Sequence, residues 1–233
     1  MTHLKGKERA IYVQEMFTRI APRYDLMNRL MTFGLDPSWR REVIRRARLS
    51  KGTRLLDLGA GTGDLAREAL KQEASCHVIA VDFTLSMMRT GQANHPASQP
   101  DWSGGDAGNL PFPQQIFDAV ISGFLLRNVP DLSRCLAEQY RVLKPGGRII
   151  ALDTTPPGNN LAAPLVRVHL KTIIPLLGKV ITGQSEAYQY LPDSTVNFLE
   201  PTKLAARLVS TGFSHVGFSR HMFDTVAIYW GTK

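Results

Sequence analysis

An apolar run that ends in three alternating glycines constrains this chain more than any other stretch. Residues 55–58 suit a buried parallel strand, and Gly59, Gly61 and Gly63 follow at every second position. Apolar residues at helical spacing from Leu65 onward predict a helix behind the glycines. A strand, a glycine turn and a helix N-terminus form a cradle for a nucleoside-bearing ligand, because glycine lets a ligand approach the backbone closely.

The spacing of the glycines distinguishes between classes of nucleotide. A dinucleotide fingerprint needs G-x-G-x-x-G, whereas Asp64 stands where its third glycine would be, and no Lys-Ser/Thr follows as in a triphosphate loop. Asp82 ends the apolar run 78–81, where a carboxylate can accept hydrogen bonds from both hydroxyls of a ribose. Asp57 and Asp64 add negative charge that suits a cationic nucleoside. We therefore predict S-adenosylmethionine as the ligand, with a dinucleotide or a purely structural turn as alternatives.

Composition indicates one α/β domain with elaborations. The chain has 233 residues, of which 43% are apolar, enough for a substantial core. Cys76 and Cys135 show neither metal-ligand spacing nor a disulfide framework, which favours a reducing compartment and a cytoplasmic location. We also expect no signal peptide and no membrane span, because no apolar run reaches about 18 residues.

Positive charge is concentrated in the first 48 residues. They hold eleven Lys/Arg against five Asp/Glu, a net of +6, whereas the rest hold seventeen against fifteen. This surface can contact an anionic membrane peripherally, or it can be a solvated face. We expect no nucleic-acid partner, because aromatic and basic residues do not interleave here. A homodimer is left open. The arginines concerned are Arg40, Arg41, Arg45, Arg46 and Arg48.

Strand and helix signals alternate from residue 53 onward, which predicts a doubly wound, mostly parallel sheet. Two antiparallel strands near the C-terminus would complete seven strands. The predicted strands cover 53–58, 77–82, about 102–105, 117–122, 147–153, 214–220 and 225–230, and helices lie near 63–73, 84–93, 131–143 and 202–211.

Two helical segments fall outside this alternation. Helices are predicted at 8–20 and 24–31, and a third opens with Asp36 as N-cap and Pro37 at the first helical position. A second segment, interrupted by prolines, predicts a lid of short helices over an apolar pocket, or a surface resting on a membrane. The single domain thus has four parts: an N-terminal helical cover (1–50), a cofactor-binding core (51–155), a helical lid insertion (156–200) and a final helix and strands (201–233).

Several stretches should meet at the carboxyl edge of the sheet, where open α/β sheets bind ligands. Phe83 can pack on an adenine, Asp106 can accept from its amino group, and the N–H of Ala107 can donate to its ring. No metal is expected. The predicted cofactor-binding residues are Asp57, Gly59, Gly61, Thr62, Gly63, Asp82, Phe83, Asp106, Ala107, Ser122 and Gly123.

The stretch after the fourth strand indicates the class of acceptor. Enzymes that methylate an exocyclic amine usually carry Asn/Asp-Pro-Pro-aromatic there. This chain has an apolar run instead, which ends in Arg127 and Asn128. Such a run suits a flat, apolar acceptor that bears an oxygen anion.

Four motifs occur in the order Y-D-L-M-N at 24–28, L-R-N-V at 126–129, R-V-L-K-P-G-G-R at 141–148 and Y-Q-Y-L-P-D-S at 188–194. Together with Gly34 and Trp39 they resemble the signatures of the ubiquinone/menaquinone biosynthesis C-methyltransferase family. The similarity runs from about residue 8 to the C-terminus. The chain departs from the family at Asp36, where His is usual, and at Gly123, onto which a family Ser aligns, while Ser122 lies one residue earlier.

The resemblance implies a class I, Rossmann-like fold and S-adenosylmethionine-dependent C-methylation of a reduced prenylated quinone. The favoured acceptor is demethylmenaquinol; the alternatives are a benzoquinol of ubiquinone biosynthesis, another small molecule or RNA. It also implies that Arg127, Asn128 and Tyr24 are catalytic, with Arg127 assisting deprotonation through a water. Electrostatic stabilisation by Arg127 is the better interpretation, because arginine stays protonated and is a poor base. The structural alternatives are that Arg127 and Asn128 cap a helix or pair with Asp131, and that Tyr24 is core.

Overall fold

A seven-stranded sheet forms the centre of the molecule, in a computed structural model that describes residues 6–97, 99–158, 163–182 and 185–233. The strand order is β3-β2-β1-β4-β5-β7-β6, and β7 runs in the direction opposite to the other six strands. The predicted doubly wound sheet is therefore confirmed. The strands are β1 (Arg54–Leu58), β2 (His77–Asp82), β3 (Asp101–Gly104), β4 (Phe117–Gly123), β5 (Leu143–Thr154), β6 (Ser214–His221) and β7 (Val226–Thr232).

Helices pack on both faces of this sheet. Alternate residues of β1 point to opposite layers, so Leu55 packs under α3 and α4 while Leu56 packs under α6 and α10. Both leucines are fully buried, which explains the continuous apolar run in the sequence. The helices are α1 (Gly6–Ile20), α2 (Tyr24–Met31), α3 (Asp36–Ala47), α4 (Asp64–Gln72), α5 (Leu85–Asn94), α6 (Leu132–Val142), α7 (Ala163–Val168), α8 (Ile174–Thr182), α9 (Ser185–Val196) and α10 (Pro201–Thr211).

The N-terminal helices and the insertion share one apolar cluster. Met16 of α1 and Met27 of α2 pack with Ile174 of α8 and with Tyr188 and Tyr190 of α9. The two predicted covers therefore form a single body, here called the helical cover, made of α1, α2 and α7–α9. Residues 159–162 and 183–184 of the predicted lid lie outside the described residues.

The start of α3 differs from the prediction. Leu35 is the N-cap and Asp36 lies in the first turn, so the prediction of Asp36 as N-cap is wrong. Its carboxylate is taken by other partners: the hydroxyl of Thr32 donates to it at 3.1 Å, and Arg40 lies 2.6 Å away. The side chain therefore links α2 to α3 instead of capping a helix.

The K-P-G-G turn lies within β5 instead of preceding it. Leu143 already pairs with Phe117, and the register shifts before Arg148 pairs with Ala119. Gly146 has a φ of +78°, which a glycine adopts at little cost. The predicted turn before the fifth strand is thus a register shift within the pairing of β4 and β5.

Across the described ranges, no helix has both the length and the apolar character needed to cross a bilayer.

Candidate functional site

The glycine turn is held against the end of β2. The N–H groups of Gly59 and Ala60 donate to the carbonyl of Val81 at 2.8 and 3.0 Å, and Gly61 donates to the Asp82 carboxylate at 2.7 Å. Gly59 has a φ of +69°, and a Cβ there would lie 2.7 Å from Cδ1 of Leu125. The position therefore requires glycine for both backbone conformation and space.

A cavity of about 850 Å³ opens between this turn and α1, and we call it the glycine cavity. It brings most of the predicted cofactor-binding residues together, as expected from their positions at the carboxyl edge. They are Gly59, Gly61, Asp82, Phe83, Asp106, Ala107 and Gly123.

Asp82 and Asp106 are oriented by the backbone. Asp82 accepts from Gly61 through Oδ2 and from the N–H of Thr84 through Oδ1 at 2.6 Å, and burial raises its pKa. Oδ1 of Asp106 accepts from the N–H of Gly108 at 2.8 Å. Each carboxylate keeps lone pairs with which to accept further hydrogen bonds from a ligand.

A second, smaller cavity, the carboxylate cavity, contains Asp57 in its wall. Oδ2 of Asp57 accepts from the N–H of Ala66 at 2.9 Å, so it supports the start of α4. Oδ1 is buried with no partner among the described residues. Burial raises the pKa of this carboxyl to about 7. An uncompensated buried carboxylate fits a cationic group in the cavity beside it.

Three predicted cofactor-binding residues have different surroundings from the rest. Thr62 lines the carboxylate cavity, and its hydroxyl donates to Asp25 at 2.8 Å. Gly63 begins α4 against Trp102, where a Cβ would lie 2.5 Å from the indole. Ser122 is fully buried in β4. Neither Gly63 nor Ser122 is among the described residues that line these cavities. Their direct contact with a cofactor stays a prediction, and this geometry does not support it.

A third space, the apolar cavity of about 610 Å³, lies between the helical cover and the end of the sheet. Met31, Ile174 and Leu191 line it from the cover, and Arg127 lines it from the sheet edge. Tyr24 and Phe124 line all three cavities. The three spaces therefore meet at these two rings.

Arg127 forms a buried ion pair that the sequence did not predict. Its Nη1 lies 2.6 Å from Oδ1 of Asp153, and its backbone N–H donates to Oδ2 of Asp153 at 3.3 Å. Nε has no partner among the described residues. The alternative pairing with Asp131 is wrong, because Asp131 caps α6 by accepting from the N–H of Arg134. The sequence could have identified Asp153 as a site residue, because it ends the apolar strand that follows the K-P-G-G turn.

Asn128 and Tyr24 have different environments from Arg127. Nδ2 of Asn128 donates to the carbonyl of Phe124 at 2.9 Å, and its Oδ1 accepts from the hydroxyl of Tyr190 at 3.2 Å. The amide therefore links the end of β4 to the cover. Tyr24 is half-buried; burial raises its pKa, against which a hydrogen bond with Asn28 and the charge of Arg127 act. Since Tyr24 faces all three cavities, it is not simply core.

Helix α1, part of the predicted N-terminal cover, lies over the glycine cavity through residues that the sequence did not identify. Gln14 donates to the carbonyl of Phe83 at 3.0 Å, and Arg9 donates to the carbonyl of Arg127 at 2.6 Å. Val13 and Phe17 supply apolar lining. Across the described part of the chain, no cluster of three or more His, Cys, Asp or Glu could hold a metal.

Comparison with known proteins identifies relatives over the whole chain. The model of the ubiE/COQ5 methyltransferase family matches residues 1–233. A ubiquinone/menaquinone biosynthesis C-methyltransferase UbiE of Desulfotalea psychrophila is 43% identical, over 95% of this chain and 90% of its own length. A demethylmenaquinone methyltransferase of Thermus thermophilus is 39% identical, over 94% of this chain and 100% of its own.

Solved structures show the same fold at lower identity. A possible histamine N-methyltransferase of Thermotoga maritima has a TM-score of 0.64 at 17% identity, covering 94% of this chain and 98% of its own. Phosphoethanolamine N-methyltransferase 2 of Haemonchus contortus, in complex with S-adenosyl-L-methionine, has a TM-score of 0.63 at 16% identity, covering 84% and 52%. At such identities the likeness concerns the class I methyltransferase fold alone.

Proposed function

The chain belongs to the ubiE/COQ5 methyltransferase family, and on that premise we propose that it transfers a methyl group from S-adenosylmethionine to a ring carbon of a reduced prenylated quinone. Demethylmenaquinol is the favoured acceptor, because relatives 39% identical carry the name demethylmenaquinone methyltransferase. The observation that carries the proposal is the meeting of the glycine cavity and the apolar cavity at Tyr24 and Phe124, with Arg127 in the apolar wall.

The residues of the glycine and carboxylate cavities fit S-adenosylmethionine. Asp82 would accept from the ribose hydroxyls, and Phe83 would pack on the adenine. Asp106 and Ala107 would bind the edge of the adenine. Asp57 offers its unpaired oxygen to the ammonium of the methionine end. When bound, the donor supplies an electrophilic methyl carbon on a positively charged sulfur.

The acceptor must be the hydroquinone, because a quinone ring carbon is itself electrophilic. With a phenol pKa near 10, forming phenolate at pH 7 costs about 4 kcal/mol. A cation next to the oxygen offsets much of this cost where water is excluded. Methylation would replace the methyl–sulfur bond with a carbon–methyl bond and leave a neutral thioether. The methylated ring carbon would then lose its proton to water, which restores the aromatic ring.

Arg127 is placed to be that cation. Asp153 binds Nη1 of Arg127, and Nε has no partner among the described residues, so the guanidinium can donate to an oxygen in the apolar cavity. Tyr24 would position the acceptor ring beside the donor. Asn128 would act indirectly, by holding the end of β4 to the cover.

We place the peripheral membrane contact at the mouth of the apolar cavity. Of the five arginines that the sequence suggested for this contact, Arg40 and Arg46 already pair with Asp36 and Glu42. Exposed apolar side chains instead lie within two residues of Met31, Thr32, Ile174 or Met222, which line the cavity. They are Leu30, Phe33, Ile173, Leu176 and Phe223, here called the apolar rim. A prenylated acceptor would pass from a bilayer through this rim. A cytoplasmic location and a homodimer stay predictions.

The test is methyl transfer to a reduced demethylmenaquinone analogue, with a reduced benzoquinone analogue as the competing acceptor. Arg127→Gln should lower turnover at least about 100-fold while the Kd of S-adenosylmethionine changes less than about threefold. Arg89→Gln, at an exposed position of α5, is the matched control. Full turnover by Arg127→Gln would show that this site assignment is wrong, and turnover of the benzoquinol alone would change the acceptor.

A further inference from the structure

A basic pocket lies far from the three cavities. Four arginines, Arg45, Arg46, Arg48 and Arg148, line a surface cavity of about 650 Å³ together with Glu42 and Trp230. Arg148 precedes Thr154, which lines the apolar cavity, by six residues of the same strand. At the rise of an extended strand this is about 20 Å. The basic pocket is therefore not part of the methyl-transfer site.

One arginine of the pocket is already satisfied. Nε and Nη2 of Arg46 donate to Oε1 of Glu42 at 2.9 and 2.7 Å, and its guanidinium lies 3.6 Å from the centre of the Trp230 ring. The other oxygen of Glu42 lies 3.6 Å from His221. Glu42 and Trp230 therefore bind Arg46, and the positive charges of the other three arginines are not neutralised by Glu42.

The other three arginines have no carboxylate partner within the described part of the chain. Arg148 is half-buried, and among the described residues its guanidinium makes one hydrogen bond, a long one of 3.5 Å from Nη1 to the carbonyl of Arg46. Burial, and then the charge of Arg48, lower its pKa. The carbonyl end of α3 attracts Arg45 and Arg46, but it does not account for Arg148, which comes from the sheet.

We propose that this pocket binds a phosphate-bearing anion, held between Arg148 of β5 and Arg45 and Arg48 at the end of α3. Four arginines against one glutamate give the pocket a net charge of +3. Guanidinium groups bind phosphate oxygens through paired N–H donors, and a bound anion would relieve the repulsion between Arg48 and Arg148. The source of the phosphate is either a soluble molecule or a lipid headgroup.

Calorimetry with inorganic pyrophosphate tests the soluble source, at low and constant ionic strength and with S-adenosylhomocysteine saturating the glycine cavity. Flotation with phosphatidylcholine vesicles, with and without phosphatidylglycerol, tests the lipid source. Arg45→Gln/Arg48→Gln removes two exposed charges, so folding should be preserved; Arg148→Gln tests the half-buried member. Arg23→Gln/Arg89→Gln removes two exposed charges elsewhere.

We expect wild-type protein to bind pyrophosphate or the anionic vesicles, and both pocket variants to weaken that binding at least tenfold. The control double variant should stay within about twofold. Binding of pyrophosphate identifies a soluble ligand, and binding only to anionic vesicles identifies a headgroup. Absence of both, or equal weakening by the control variant, overturns the proposal. None of these readouts depends on methyl transfer.

Discussion

At the scale of single residues, Arg127 and Asp153 bring two opposite charges into the buried edge of the site. Asp153 is fully buried and Arg127 is 7% exposed. Taking both charges out of water is costly, and their mutual attraction at 2.6 Å offsets that cost only while both are present. Loss of either partner leaves a buried charge without compensation.

Asp153→Asn should therefore lower the free energy of unfolding by about 3 kcal/mol, measured by urea denaturation. Asp118→Asn is the control, since Asp118 forms a 2.6 Å pair with Lys144 on the surface, and it should cost less than about 1 kcal/mol. Equal, small losses in the two variants would show that the buried pair contributes little. Arg127→Met combined with Asp153→Leu should recover most of the loss.

At the scale of elements, two helical glycines set how closely helices approach. In α5, a Cβ on Gly91 would lie 2.1 Å from the carbonyl oxygen of Thr62 in the glycine turn. In α8, a Cβ on Gly178 would lie 2.2 Å from Cγ of Tyr188 in α9. Both contacts require a helix to move if any side chain is added.

Gly91→Ala should raise the Kd of S-adenosylmethionine at least tenfold, because α5 must withdraw from the glycine turn that we propose as the donor site. In an unconstrained helix the same substitution stabilises the helix by about 1 kcal/mol. A lower Tm of the variant would therefore come from the contact with the glycine turn and not from helix propensity. Gln92→Ala, exposed on the same helix, is the control. Unchanged donor affinity in Gly91→Ala would contradict this account of the contact.

Gly178→Ala should affect the acceptor instead of the donor, because α8 and α9 line the apolar cavity. We expect turnover with a demethylmenaquinol analogue to fall about tenfold or more and limited proteolysis of the cover to accelerate. The Kd of S-adenosylmethionine should stay within about twofold. Val180→Ala, 76% exposed on the same helix, should change none of these.

The sequence predicted these elements well where one signal decided the outcome. The apolar run at 55–58 and the alternation after it predicted the sheet, because a strand buried on both faces must be apolar throughout. The order of residues could not predict that α2 and α9 share one apolar cluster, because this depends on tertiary packing of residues far apart in the chain, such as Met27 and Tyr188. Nor could it predict that Arg127 pairs with Asp153 and not with Asp131, because this pairing depends on the orientation of β5.

At the scale of the whole molecule, Asp57 makes stability depend on pH. Its pKa rises from 3.8 to about 7 in the folded chain, so the folded state holds a proton that the unfolded state has released between these values. The stabilisation is complete below pH 3.8 and is lost as the pH rises toward 7. Its upper limit is on the order of 4 kcal/mol.

Comparison of wild type with Asp57→Asn isolates this contribution, since asparagine resembles the protonated acid. The difference in free energy of unfolding, wild type minus variant, should fall between pH 4 and pH 7 and level off above it. Asp101→Asn, at an exposed site, should show no such slope. Saturating S-adenosylmethionine should flatten the slope for wild type, because its ammonium favours the ionised carboxyl; a slope unaffected by the donor would place that ammonium elsewhere.

The sharing of Tyr24 and Phe124 by all three cavities has a consequence for redesign. A substitution at either ring changes the lining of the proposed donor site and of the proposed acceptor site together, so it should affect the binding of both substrates. Leu191 and Met222 line the apolar cavity alone among the three. Substitutions at Leu191 and Met222 should therefore change which acceptor ring binds. Tyr24 and Phe124 are constrained, because both proposed substrates contact them.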